Sequence, residues 1–160
     1  MARSAFLKIL IVAIVTAAMF TWVFGMVLIR GTSMEPTMGD GDVALYYRPL
    51  DGLQADDIVV YRGDSGRQLV GRVVAQPGDT VEVTREGVLM LNGAEQPAIS
   101  SGVVTLPSDS GPSYPLTLAE GEFFVLGDGR TNAVDSRELG PIGVNEVEGK
   151  VIALLRLRGI

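Results

Sequence analysis

The sequence predicts a mainly β chain: an antiparallel β domain carried on one membrane-spanning helix. Three observations predict it. An uncharged apolar run covers residues 9–29. Beyond Arg30, short runs rich in branched and aromatic residues alternate with Gly, Pro, Asp and Asn, and no long helical period appears. Gly (20) and Pro (8) are abundant, and most fall between those runs. The 160 residues allow one globular domain and a short extra element.

The extra element is the apolar run, bounded by Lys8 and Arg30. As a helix its 21 residues span roughly 30 Å, the hydrocarbon thickness of a bilayer. A cleavable signal peptide has a shorter apolar core, about 7–15 residues, ending at a small-x-small site. The run is therefore expected to be an uncleaved signal anchor over residues 9–29. Arg3 and Lys8 precede it, so the positive-inside rule places residues 1–8 in the cytoplasm and residues 30–160 outside the cell membrane.

In the exterior domain strands are expected at 42–47, 57–62, 68–75, 80–84, 88–91, 122–126 and 150–156. The plainest hairpin runs from Val81–Thr84 through Arg85-Glu86-Gly87 to Val88–Leu91, and Asn92-Gly93 is a further tight-turn pair. Residues 98–115, rich in Ser, Gly and Pro, are expected to form a long surface excursion.

Composition narrows the chemistry. Two of the 13 basic residues precede the run, which leaves 11 against 19 acidic ones, a charge of −8 outside. Such a domain offers no basic patch for nucleic acid. Without cysteine there is neither a disulfide nor a thiolate. Without histidine the commonest general base and the commonest metal ligand are missing, so neither a metal site nor a cofactor is expected.

Three segments stand out: Gly31-Thr32-Ser33-Met34-Glu35-Pro36-Thr37-Met38, then Val70-Gly71-Arg72-Val73-Val74-Ala75-Gln76-Pro77-Gly78-Asp79, then Gly127-Asp128-Gly129-Arg130-Thr131-Asn132-Ala133-Val134-Asp135-Ser136-Arg137. In that order they resemble three boxes of the bacterial type I signal peptidases, and the likeness extends from the apolar run to Lys150. The resemblance implies a β domain of signal-peptidase type, a serine nucleophile, a lysine general base, and preprotein signal peptides as substrates. It implies the lipid bilayer, and with it the secretion machinery, as surroundings.

By resemblance Ser33 holds the nucleophile position, four residues beyond the run and so near the membrane surface. Gly71 stands where the family places its lysine, whose amine loses its proton through desolvation and serves as base. Arg72 cannot replace it, because a guanidinium stays protonated. Only two lysines exist: Lys8 precedes the anchor, and Lys150 begins the last expected strand. Ala133 stands where many relatives carry a serine that orients the lysine. Both small residues could instead be filling one space together. Asp135 and Arg137, with Asp128 and Arg130, would support the site wall through charge-assisted hydrogen bonds; a replacement base at Asp135 or Asp128 is the rival reading.

Substrate binding depends less on the base. Strand addition uses backbone hydrogen bonds, with Met34, Pro36, Val70 and Arg72 expected beside the peptide. Met34, Pro36 and Met38 would form an apolar lip facing lipid, or else ordinary core or rim. Two functions remain open on the sequence: a serine endopeptidase that removes signal peptides with an unnamed base, or an inactive relative that binds preproteins or assists surface-protein or pilus assembly.

Overall fold

A computed structural model describes residues 2–50, 52–63, 66–96 and 104–156. Helix α1 (Ala2–Val23) leads directly into strand β1 (Phe24–Leu28). There follow β2 (Val43–Tyr47), β3 (Ile58–Arg62), β4 (Gln68–Ala75), β5 (Thr80–Val83), β6 (Leu89–Leu91), β7 (Ala94–Glu95), β8 (Leu116–Thr117) and β9 (Glu122–Leu126). A one-turn helix α2 (Ser136–Leu139), β10 (Ile142–Gly143), a 3-10 turn and β11 (Val147–Leu155) complete the chain.

The strands form two antiparallel sheets. One has seven strands in the order β1-β2-β11-β3-β4-β9-β10; the other has four, β7-β6-β5-β8. The mainly antiparallel β class with one apolar N-terminal helix is therefore observed. Within α1, residues Ala5–Val23 are long and apolar enough to cross a membrane, and none of that span is buried against the domain.

The helix ends before the apolar run does. It stops at Val23, and Phe24–Leu28 pairs with β2 from Phe24↔Tyr47 to Leu28↔Val43. A continuous apolar run carries no period that separates helix from strand. Gly25 weakens a helix there and suits the strand, because a β-carbon on it would lie 2.2 Å from the Tyr46 ring.

The last strand starts earlier than expected, at Val147, and the three two-residue strands β7, β8 and β10 fall below any sequence period. Asn92-Gly93 turns β6 into β7 with both residues at positive φ, 52° and 80°. Of the expected excursion at 98–115, residues 98–103 lie outside the described residues. Thr105 within it is buried, because Val104 and Thr105 fold against Gly87.

Alternation along the strands builds three cores. Val59, Tyr61, Val73 and Val125 centre the first; Val27, Met34, Met38, Tyr46 and Val60 the second; Val81, Leu89, Phe124 and Leu126 the third. On β4, Gly71 shares the face of Val73 and Leu69, whereas Val70 faces the second core.

Candidate active site

Ser33 sits in the loop from β1 to β2. Paired bonds between Ile29 and the 41–42 turn close the loop (2.8 and 2.9 Å). Inside it Met34 and Met38 are buried, and of the three residues expected at the lip Pro36 alone is exposed. The expected lip therefore reduces to Pro36: the two methionines fill the second core beneath the loop, where their burial removes apolar surface from water. They hold Ser33 up from below rather than meeting a ligand.

The 127–133 segment grips the loop from the side. Gly129 N donates to the Ser33 carbonyl (2.9 Å), and Asn132 Nδ2 donates to Thr32 Oγ1 (3.2 Å). Such closeness excludes side chains: a β-carbon on Gly127 would lie 2.6 Å from the Ser33 carbonyl oxygen, and one on Gly129 2.3 Å from that of Thr32. Thr37 Oγ1 donates to Asp128 Oδ2 (2.5 Å).

Two carboxylates anchor this segment, and each is held by an arginine. Arg72 reaches Asp128 with a fork, Nε to Oδ1 at 2.9 Å and Nη2 to Oδ2 at 2.7 Å. Arg137 does the same to Asp135 with two bonds of 2.8 Å. Asp135 also accepts from the amides of Gly127 and Arg137, so it caps α2. Bidentate guanidinium–carboxylate bonds are strong and geometrically fixed. Every oxygen of the two carboxylates already accepts at least one of these bonds, which weighs against both as a base. The Asp128 bonds also push the Arg72 guanidinium above its usual range. Arg72, expected beside the peptide, is spent on Asp128 and lines neither cleft described below.

Arg130 is buried with one hydroxyl partner, Thr105 Oγ1 at 2.6 Å. Burial, then the neighbouring Arg137 charge, pulls its guanidinium below its usual range. Lys150, one strand removed from β4, pairs with Asp57 (2.6 Å).

At Gly71, where the resemblance implies a lysine, there is no room for a side chain. A β-carbon on Gly71 would lie 2.5 Å from Val125 Cγ1, and 3.3 Å from Tyr61 Cε1 and from the Leu126 carbonyl oxygen. Val125 thus fills the space. Ala133 is not among those neighbours; its β-carbon abuts Gly127 and lines a separate cavity of about 250 Å³ with Arg130 and Arg137. The two small residues fill different spaces, not one together. Tyr61 lies beside Gly71, with its hydroxyl on the Val134 carbonyl at 3.4 Å. Burial, and then the Asp135 charge, push that phenol well above its ordinary range, so it is no base.

Ser33 lines two clefts. The first, about 360 Å³, lies between Met26–Arg30 and Arg67–Val70. The second, about 430 Å³, adds Asn132, Val134 and Glu138. Strand β1 ends the seven-stranded sheet, and the Gln68–Gly71 part of β4 pairs with β3 alone, because β9 begins opposite Arg72. Two strand edges therefore border the first cleft. Val70 lies in both clefts, as expected of it. Among the described residues no hydrogen bond reaches Ser33 Oγ. Glu138, Arg30, Arg67 and Thr37 were not foreseen; the Gly127-x-Gly129 spacing was the one sequence signal of close approach.

The comparisons decide the family. The model for signal peptidase, peptidase S26, matches residues 2–155. This chain belongs to the signal peptidase S26 family. It is similar to a signal peptidase I of Bacillus licheniformis, 34% identical over 157 aligned residues, covering 89% of this chain and 82% of that one. It is 30% identical to signal peptidase I T of Bacillus subtilis strain 168, over 89% and 79% of the two chains. Among solved structures, a signal peptidase I from Enterococcus faecalis V583 matches with a TM-score of 0.51 and 28% identity. That match covers 66% of this chain and all of that one. The S26 membership accounts for the three boxes in their order.

Proposed function

We propose that this chain receives the signal-peptide region of exported preproteins as an extended strand at the Ser33 cleft, and holds it with little or no cleavage. The observation that carries the reading is the contrast between two parts of one site. The cleft has two strand edges free to pair with a peptide, while Val125 occupies the place of the lysine base at Gly71. A serine hydroxyl without a base is a poor nucleophile. Helix α1 anchors the domain in the membrane, with Arg3 and Lys8 on the cytoplasmic side and the β domain outside. Its partners are preprotein signal peptides and the lipid bilayer, with the secretion machinery close by; assistance to surface-protein or pilus assembly is the matching role.

The test is a model preprotein mixed with the full-length protein in lipid, beside Ser33→Ala. Binding in both, with cleavage in neither, is expected. Cleavage at a small-x-small site that vanishes in Ser33→Ala would overturn it.

A second reading, a signal-peptide-removing serine endopeptidase with Ser33 as nucleophile, is favoured by Glu138. Among the described residues it is the one carboxylate lining either Ser33 cleft. In that reading Glu138 takes the Ser33 proton, and Glu138→Gln abolishes the same cleavage that Ser33→Ala abolishes.

A further inference from the structure

We infer that the first cleft selects for an acidic side chain in the bound peptide, held between Arg30 on one wall and Arg67 on the other. This rests on the reading of that cleft as a peptide site and specifies its ligand.

The argument begins with charge. Outside the membrane run the chain carries an excess of acid, so a cleft lined by basic side chains differs in sign from the domain as a whole. Arg62, Arg72 and Arg137 each have a carboxylate partner, Glu148, Asp128 and Asp135 respectively. Arg30 and Arg67 are both exposed, and among the described residues neither has an ion pair or a hydrogen-bonded carboxylate.

These two line the same cleft from its two sides, Arg30 at the end of the β1 wall and Arg67 at the start of the β4 wall. Among the described residues no Asp or Glu lines that cleft; its other polar side chains are Ser33 and Gln68. The sign of the surface is therefore reversed where a peptide would lie. A guanidinium presents a planar fork of donors that matches a carboxylate, and two of them facing one cleft favour one acidic side chain between them.

Arg30 and Arg67 also line the second cleft, but there Glu138 joins them and opposes an added carboxylate. The acidic side chain is thus expected on the β1 side of Ser33. An anionic lipid headgroup offers the same phosphate or carboxylate chemistry. The groups between the arginines favour a peptide, since strand edges supply amide donors and carbonyl acceptors in a row, which another backbone can pair with and a headgroup cannot.

The experiment uses the full-length protein in nanodiscs of zwitterionic lipid. A short extended peptide with a small-x-small centre carries Asp, Asn or Lys at each flanking position in turn, and binding is read by fluorescence anisotropy. At one position on the β1 side Asp is expected to bind about 3- to 10-fold tighter than Asn, with the preference shrinking in high salt. In Arg30→Gln/Arg67→Gln the Asp-to-Asn ratio should fall to about one. A ratio of one in the unaltered protein overturns the inference and leaves the peptide reading standing. So does a ratio that survives the double substitution. If no version of the peptide binds, the peptide reading itself fails and the inference with it. If the double variant loses attachment to phosphatidylglycerol vesicles while its peptide ratio is unchanged, the arginines serve lipid and the inference is overturned.

Discussion

Val125 stands where a side chain at position 71 would begin: a β-carbon built on Gly71 falls 2.5 Å from Val125 Cγ1. Both residues are buried at the meeting of β4 and β9. Position 71 is therefore part of a packed core.

Gly71→Ala should destabilise the protein. In a strand interior Ala normally gains about 0.5–1 kcal/mol over Gly, but overpacking costs about 1–3 kcal/mol, so the clash decides the sign. Val125→Ala should remove most of that penalty, giving a coupling of at least about 0.5 kcal/mol in a double-mutant cycle. Chemical denaturation of the four proteins measures it; additivity would mean that Val125 moves aside freely.

Restoring the base needs three changes. Gly71→Lys with Ala133→Ser should gain little while Val125 blocks the lysine stem. Adding Val125→Ala should raise signal-peptide cleavage by about 10²–10⁴-fold, the usual contribution of a positioned base. A folded triple variant with no gain in turnover would show that the serine and position 71 do not face one another productively.

Asp135→Ala should cost about 3–5 kcal/mol, because it strands the buried Arg137 guanidinium beside an equally buried Arg130. Thermal unfolding checks this. A variant that keeps its stability, and loses only activity, would return Asp135 to the list of candidate bases.

Glu148 predicts acid sensitivity. Burial pushes its carboxyl up, but bonds from Gln68 Nε2 (2.6 Å) and Tyr46 Oη (3.1 Å), with the Arg62 ion pair, bring it below its ordinary value of 4.5. The folded chain binds this proton less readily than the unfolded one. Its stabilisation is therefore full above the ordinary value and fades as pH falls through the lowered one. Melting temperature should drop between about pH 5 and pH 3, and Glu148→Gln should flatten that part of the profile. Equal slopes for the two proteins would refute the assignment.

How much of this was written in the sequence varies by residue. Runs of branched and aromatic residues bounded by turn-formers placed β2, β3, β4 and β9 within a residue of their observed ends. The Phe24–Leu28 strand was hidden in the apolar run, since residues buried on one side and facing lipid or solvent on the other need not alternate in polarity. Position 71 announced itself by motif, but the residue that fills its space lies 54 positions away on β9 and has no motif of its own. Met34 and Met38 were ambiguous because a methionine serves a lip or a core equally; only the fold turned them inward. Arg30 and Arg67 looked like ordinary surface charges until the sheet brought their strands to face each other.

The join at Val23 and Phe24 has a consequence of its own. No spacer separates α1 from β1: the Val23 carbonyl already accepts from Arg48 N at 2.9 Å, and Phe20, Phe24 and Tyr47 stack with ring centroids 5.3 and 5.7 Å apart. The domain is thus riveted to its helix rather than tethered by a leash. In a membrane this turns the first strand into a depth gauge. With α1 in the bilayer as proposed, it would fix the altitude of Ser33, and the protein would meet only those segments of a passing chain that emerge at that height.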